Sequence, residues 1–148
     1  MLIVVDPQSG VPVYRQLMEQ IRFQVAAGVL APGEELPSTR SLSAELGVNP
    51  MTISKAYGFL EMENVIERRP GRPVVVADQG DAERATRKRD ELRKSLARAA
   101  TVARQLGIAE EEAVRIFEDV LGEAAAGSAG GSETRTNDLD ERPEGDQS

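Results

Sequence analysis

Residues 45 to 76, "ELGVNPMTISKAYGFLEMENVIERRPGRPVVV", decide the fold. Asn49 is suited to cap a helix start, and Pro50 follows at the position where a missing N–H costs least. Ile53, Ala56, Tyr57 and Leu60 then recur at i, i+3, i+4 and i+7, which predicts one buried helix face. The opposite face carries Met51, Thr52, Ser54, Lys55 and Gly58, mostly small or hydrogen-bonding side chains that let a helix lie close to a polar surface. Two β-favouring runs, "VIERR" and "PVVVAD", flank "PGR" and predict a hairpin with Arg69, Pro70, Gly71 and Arg72 at its tip.

Upstream, "LIVVD" reads as a short strand. "VPVYRQLMEQIRFQVAAG" reads as an amphipathic helix with Pro12 in its first turn, Tyr14, Leu17, Met18, Ile21 and Val25 on one face, and an end at Gly28. "LAPGEELPS" is a turn around Pro32-Gly33. Ser38 then caps a helix of about two turns that carries Leu42 and Leu46 and closes at Gly47. Helix, turn, helix and basic hairpin follow one another in the order of a winged helix-turn-helix.

Composition narrows the chemistry. The 148 residues contain no histidine and no cysteine, which excludes thiol nucleophiles, disulfides, Cys/His zinc sites and histidine acid–base catalysis. No run of 18 apolar residues predicts a membrane span, and the short apolar start lacks the basic flank of a secretion leader, so the expectation is a soluble cytoplasmic protein without membrane contact, metal or cofactor. The formal net charge of -7 is uneven. Residues 1 to 80 hold 7 basic and 9 acidic side chains, residues 81 to 125 hold 9 and 10, and residues 126 to 148 hold 2 and 6. The last segment has Leu139 as its one large apolar side chain and reads as a disordered acidic tail.

"LPSTRSLSAELGVNPMTISKAYGFLE" and "VDPQSGVPVYRQLMEQI" together resemble the GntR family of bacterial transcription regulators, and within it the YtrA subfamily, over roughly residues 2 to 77. The wing departs from the common Gly-x-Gly-Thr-Phe-Val pattern, reading Gly71, Arg72, Pro73, Val74, Val75 and Val76. The resemblance implies a DNA-contacting set of Ser38, Thr39, Arg40, Asn49, Pro50, Met51, Thr52, Ser54, Lys55, Arg69, Gly71 and Arg72. Many relatives carry arginines where Pro50 and Ser54 stand, so base readout is expected to lean on Arg40 and the wing. Each of these side chains also has a bland reading, as surface charge for Arg40 and Lys55 or as a local hydrogen bonder for Thr52. Tyr57 belongs to the core.

Beyond the hairpin, Ala85, Leu92, Leu96, Ala99, Ala103 and Leu106 form a narrow heptad-like seam that ends at Gly107. A second helix opens with Glu110, Glu111 and Glu112 at the positive end of its dipole and carries Ala113, Ile116, Phe117, Val120 and Leu121. Two such helices cannot make a core alone and predict a homodimer. The resemblance agrees, since YtrA-type regulators use a short two-helix part for dimerisation. The basic run "RATRKRDELRK" interleaves with Glu83, Asp90 and Glu91 and reads as helix-surface pairing rather than a nucleic-acid arm.

The expected architecture is mainly α with a small β-hairpin: a winged helix-turn-helix domain at 1–78, a two-helix region at 79–125, and a tail at 126–148. The leading function is a homodimeric repressor on a pseudo-palindromic double-stranded DNA operator, with a small-molecule effector left open. The alternative is a protein-interaction adaptor whose winged helix no longer binds DNA. An enzyme ranks third, because no nucleophile–base pair or phosphate-cradling glycine loop is present.

Overall fold

The computed structural model describes residues 1–129, arranged as five helices and one two-stranded antiparallel sheet. The chain divides into two compact units, residues 1–98 and a second that begins at residue 99. In chain order the elements are α1 (Val13–Ala26), α2 (Thr39–Leu46), α3 (Pro50–Met62), β1 (Ile66–Glu67), β2 (Val75–Val76), α4 (Gly80–Gln105) and α5 (Glu110–Ala129).

The first unit is built around α3. Ile53, Ala56, Tyr57 and Leu60 are fully buried, as the spacing predicts, against Leu17, Met18 and Ile21 of α1, Leu42 of α2, and Leu30, Leu36, Val65, Ile66 and Val76. Local chemistry sets the helix ends. Ser38 Oγ accepts from Ser41 N at 3.1 Å and Asn49 Oδ1 accepts from Met51 N at 2.9 Å. Gly47 closes α2 with φ 64°, a left-handed conformation that costs glycine nothing. α1 stops at Ala26, two residues before the expected Gly28, and Pro12 stands just outside its first turn.

Three parts of the sequence reading need correction. "LIVVD" is extended but is no strand of a sheet, because its backbone pairs with side chains. Gln24 Nε2 donates to Leu2 O at 2.7 Å, Gln20 exchanges two bonds with Val4 at 2.9 and 2.6 Å, and Gln16 exchanges two with Asp6 at 2.9 and 2.7 Å. Four helical residues rise about 6 Å and two extended residues span about 6.6 Å, so glutamines four apart meet alternate residues of the arm. Ile3 and Val5 thereby pack against the core while Leu2 and Val4 face outward.

The second correction is that the 30–38 turn joins the hairpin. Glu35 bridges to Val75, Leu36 N donates to Val74 O at 2.8 Å, and Val76 N donates to Glu34 O at 2.9 Å. Third, the hairpin strands are two residues each, paired Ile66 to Val76 and Glu67 to Val75, rather than the five or six of the flanking runs. Pro73 has no N–H to continue the ladder, and Arg72 N turns back onto Arg69 O at 3.1 Å.

α4 and α5 expose their apolar residues. Leu92, Leu106, Ile116 and Val120 are 52%, 68%, 45% and 52% exposed, Phe117 and Ala99 are also exposed, and Leu96 and Ala103 are half-buried. Glu110, Glu111 and Glu112 occupy the first turn of α5. That helix runs to Ala129, so residues 126 to 129, assigned from sequence to the tail, are helical; the remainder of the expected tail lies outside the described residues.

Candidate nucleic-acid interface

Three elements present the candidate residues: the start of α2, the first two turns of α3, and the loop between β1 and β2. Thr39 and Arg40 open α2, and Arg40 is exposed with no ion pair among the described residues. Pro50, Met51, Ser54 and Lys55 are exposed along α3 and Thr52 is half-buried. Arg69, Gly71 and Arg72 are exposed in the wing, where Gly71 takes φ 70° and so permits the tight tip. Ser38 and Asn49 spend their side-chain oxygens as helix caps. Their functional part is therefore first to fix where α2 and α3 begin.

A buried hydroxyl ties α2 to α3. Tyr57, fully buried, donates through Oη to Pro37 O at 2.7 Å, one residue before the Ser38 cap. Burial penalises its phenolate and pushes its pKa up to about 12. The assignment of Tyr57 to the core agrees with this geometry.

The sequence reading missed two contacts. Lys55 Nζ lies 4.0 Å above the centroid of the Tyr14 ring, and that ring stacks on Phe59 at 5.9 Å, so the lysine's charge is held beside α1. Arg68 pairs with Glu61 at 3.3 Å and its Nη2 would stand 3.7 Å from a Cβ at Gly58. Gly58, placed on the outward face from sequence, instead lies beneath the base of the wing. A Tyr–Lys approach from two helices and an arginine crossing from hairpin to helix are long-range, and residue spacing does not encode them.

A second cluster backs α3 from behind. Glu63, its C-cap, pairs with Arg22 of α1 at 2.9 Å, while Arg87 of α4 donates through Nη2 to Glu63 O at 2.7 Å. The Arg87 guanidinium also reaches the Gln79 side chain, whose Nε2 donates to Asn64 O. Asn64 is the one non-glycine residue of positive φ, at 57°, among the described residues, and these bonds hold it there.

No group of His, Cys, Asp or Glu among the described residues could hold a metal, and no helix among them is long and apolar enough to cross a membrane. What the fold presents is a helix start, a helix face and a hairpin tip, joined through a helix-turn-helix and a wing. These define a winged helix-turn-helix DNA-binding module.

Residues 13–76 match the family described as "Bacterial regulatory proteins, gntR family". The chain is 39% identical over 77 residues to "HTH-type transcriptional repressor YtrA" of Bacillus subtilis, a match covering 52% of this chain and 59% of that relative. It is 34% identical over 118 residues to "HTH-type transcriptional regulator Rv1152" of Mycobacterium tuberculosis, covering 78% of this chain and 91% of the relative. A solved structure, "YtrA from Sulfolobus acidocaldarius, a GntR-family transcription factor", superposes with TM-score 0.50 at 35% identity and covers 82% of this chain and 97% of the other. The chain belongs to the gntR family, in its YtrA branch, and is a DNA-binding transcription regulator rather than an enzyme.

Proposed function

We propose that this regulator acts in the cytoplasm as a homodimeric repressor, bound to a pseudo-palindromic operator in double-stranded DNA and blocking transcription there. The single observation that carries the reading is the pairing of an outward α3 face with an exposed apolar seam on α4 and α5. Leu92, Leu96, Ala99, Ala103 and Leu106 on α4, with Ile116, Phe117 and Val120 on α5, supply the dimer surface. Two-fold symmetric helix-turn-helix dimers read half-sites about one helical turn, roughly 10 bp, apart, which is the operator spacing expected here. Thr39 and Arg40, the start of α3, and Arg69 and Arg72 contact each half-site. The name of YtrA in Bacillus subtilis supports repression.

The test is a titration on selected and scrambled duplexes at two salt concentrations. Neutralising six phosphates lowers affinity about a thousandfold between 50 and 200 mM salt. Arg40→Ala should cost about 1 to 3 kcal/mol and relax preference at one position per half-site, whereas Lys55→Ala should weaken all sequences evenly and flatten the salt slope. Binding without salt dependence, or no binding, favours the adaptor reading, to which the exposed Met51 and Met62 on α3 would then belong.

A further inference from the structure

The chemistry of α3 assigns a base to it. Met51 is 78% exposed at the second position of the helix. Its backbone is fixed, because its N–H is bonded to Asn49 Oδ1, and it lies two positions from the buried Ile53, about 200° around the helix. A large apolar side chain thus projects from a fixed backbone position on the outward face at the helix's leading end, with its own rotatable bonds free to adapt to what it meets. The groups around it are Pro50, Thr52 and Ser54, and Lys55 one turn on is held over the Tyr14 ring. Asn49 at the helix start commits its Oδ1 to the Met51 N–H, and no arginine or glutamine on this face offers the paired hydrogen-bonding groups that read guanine or adenine edges. The major groove presents one apolar feature that differs between base pairs, the 5-methyl group of thymine.

We infer that Met51 is a specificity-determining residue that packs on a thymine methyl group in each half-site, leaving the polar edges to Arg40. The inference rests on the DNA-reading function proposed above. It makes the half-site a combination of one arginine-read position from α2 and one methyl-read position from α3.

The experiment uses the full chain. A duplex is first selected from random sequence, then each thymine in it is replaced singly by deoxyuridine, which removes the methyl group and leaves base pairing intact. The wild-type protein should lose about fourfold at one thymine per half-site, the effect of exposing one buried methyl-sized group. Met51→Ala should bind the parent duplex more weakly and be indifferent to deoxyuridine at that position, while Met51→Leu, still apolar, should keep the sensitivity. Circular dichroism checks that both variants fold, as an exposed site leads one to expect. Met51→Ala retaining the full deoxyuridine effect would transfer the methyl contact to another side chain, Thr52 first, and overturn the inference. So would a selected duplex at which no deoxyuridine matters. If selection enriches no sequence at all, the DNA-reading function itself fails, an outcome distinct from the other two.

Discussion

Replacing Tyr57 by phenylalanine removes one oxygen from a fully buried site and leaves Pro37 O without its donor. At neutral pH the cost is the bond itself, about 1 kcal/mol, plus part of the penalty for an unpaired buried carbonyl, for a total of about 1 to 3 kcal/mol. The pH dependence is more telling. The phenol of Tyr57 ionises near 12 in the folded state against 10.0 ordinarily, so the native state holds this proton more tightly than the unfolded chain. The resulting stability is fully present below pH 10 and is lost as pH rises from 10 through 12. Two pKa units correspond to about 3 kcal/mol once both states are ionised. The phenylalanine variant lacks that loss, so it should start less stable than wild type at pH 7 and draw level or overtake it by about pH 12. Urea midpoints for both proteins at pH 7, 9, 10.5 and 11.5 measure the difference, in which ionisation of every other group cancels. Parallel curves across the alkaline range would show that the hydroxyl is not buried as described. The link between α2 and α3 would then need another origin.

Two further outcomes follow from the arm and the seam. Gln20→Ala removes both bonds to Val4, at about 1 kcal/mol each, and should raise amide exchange at Val4 with little change at Ile53; unchanged exchange would mean the glutamine ladder does not hold the arm. Leu96→Asp with Leu106→Asp should give monomers by sedimentation, since four leucines across a dimer at about 1.5 kcal/mol or more apiece amount to over ten-thousandfold in dissociation constant. A persistent dimer would place its interface elsewhere.

Where a structural choice is local, the sequence announces it. Ser38, Gly47, Asn49 and Pro50 act within a turn of themselves, and each ends or begins a helix where its chemistry predicts. The α3 core face was equally legible, because period 3.6 is a property of one element. Contacts that join distant elements were not. Glu35 reaches Val75 across forty residues, and nothing in "GEELP" marks it as an edge of the wing. "LIVVD" has the composition of a strand, but the element beside it is a helix, and only the spacing of Gln16, Gln20 and Gln24 hinted that side chains would serve as its partner. For the candidate site, the positions on α2, α3 and the wing could be proposed from residue types. The restraint of Lys55 by Tyr14, and the covering of Gly58 by Arg68, depend on how helices cross.

Crossing contacts also explain how a chain of net charge -7 can present a reading face for a polyanion. Of the seven basic side chains in residues 1 to 80, Arg22, Arg68 and Arg69 are paired with Glu63, Glu61 and Glu67. That leaves Arg15, Arg40, Lys55 and Arg72 without an ion pair among the described residues. Three of these four sit on the start of α2, on α3 and on the wing. The acidic excess of residues 126 to 148 is separated from them in sequence by α4 and most of α5. At physiological ionic strength exposed charges are screened within about 8 Å, so what phosphate meets at contact is the local set rather than the sum over the chain. Net charge then acts on the approach. An acidic sum suppresses adhesion to arbitrary DNA while leaving contacts at a matched site intact, which favours discrimination over raw affinity. On the reading proposed above, a face with few free cations and an exposed methionine would suit that balance, because apolar contacts with base edges would gain nothing from DNA of the wrong sequence.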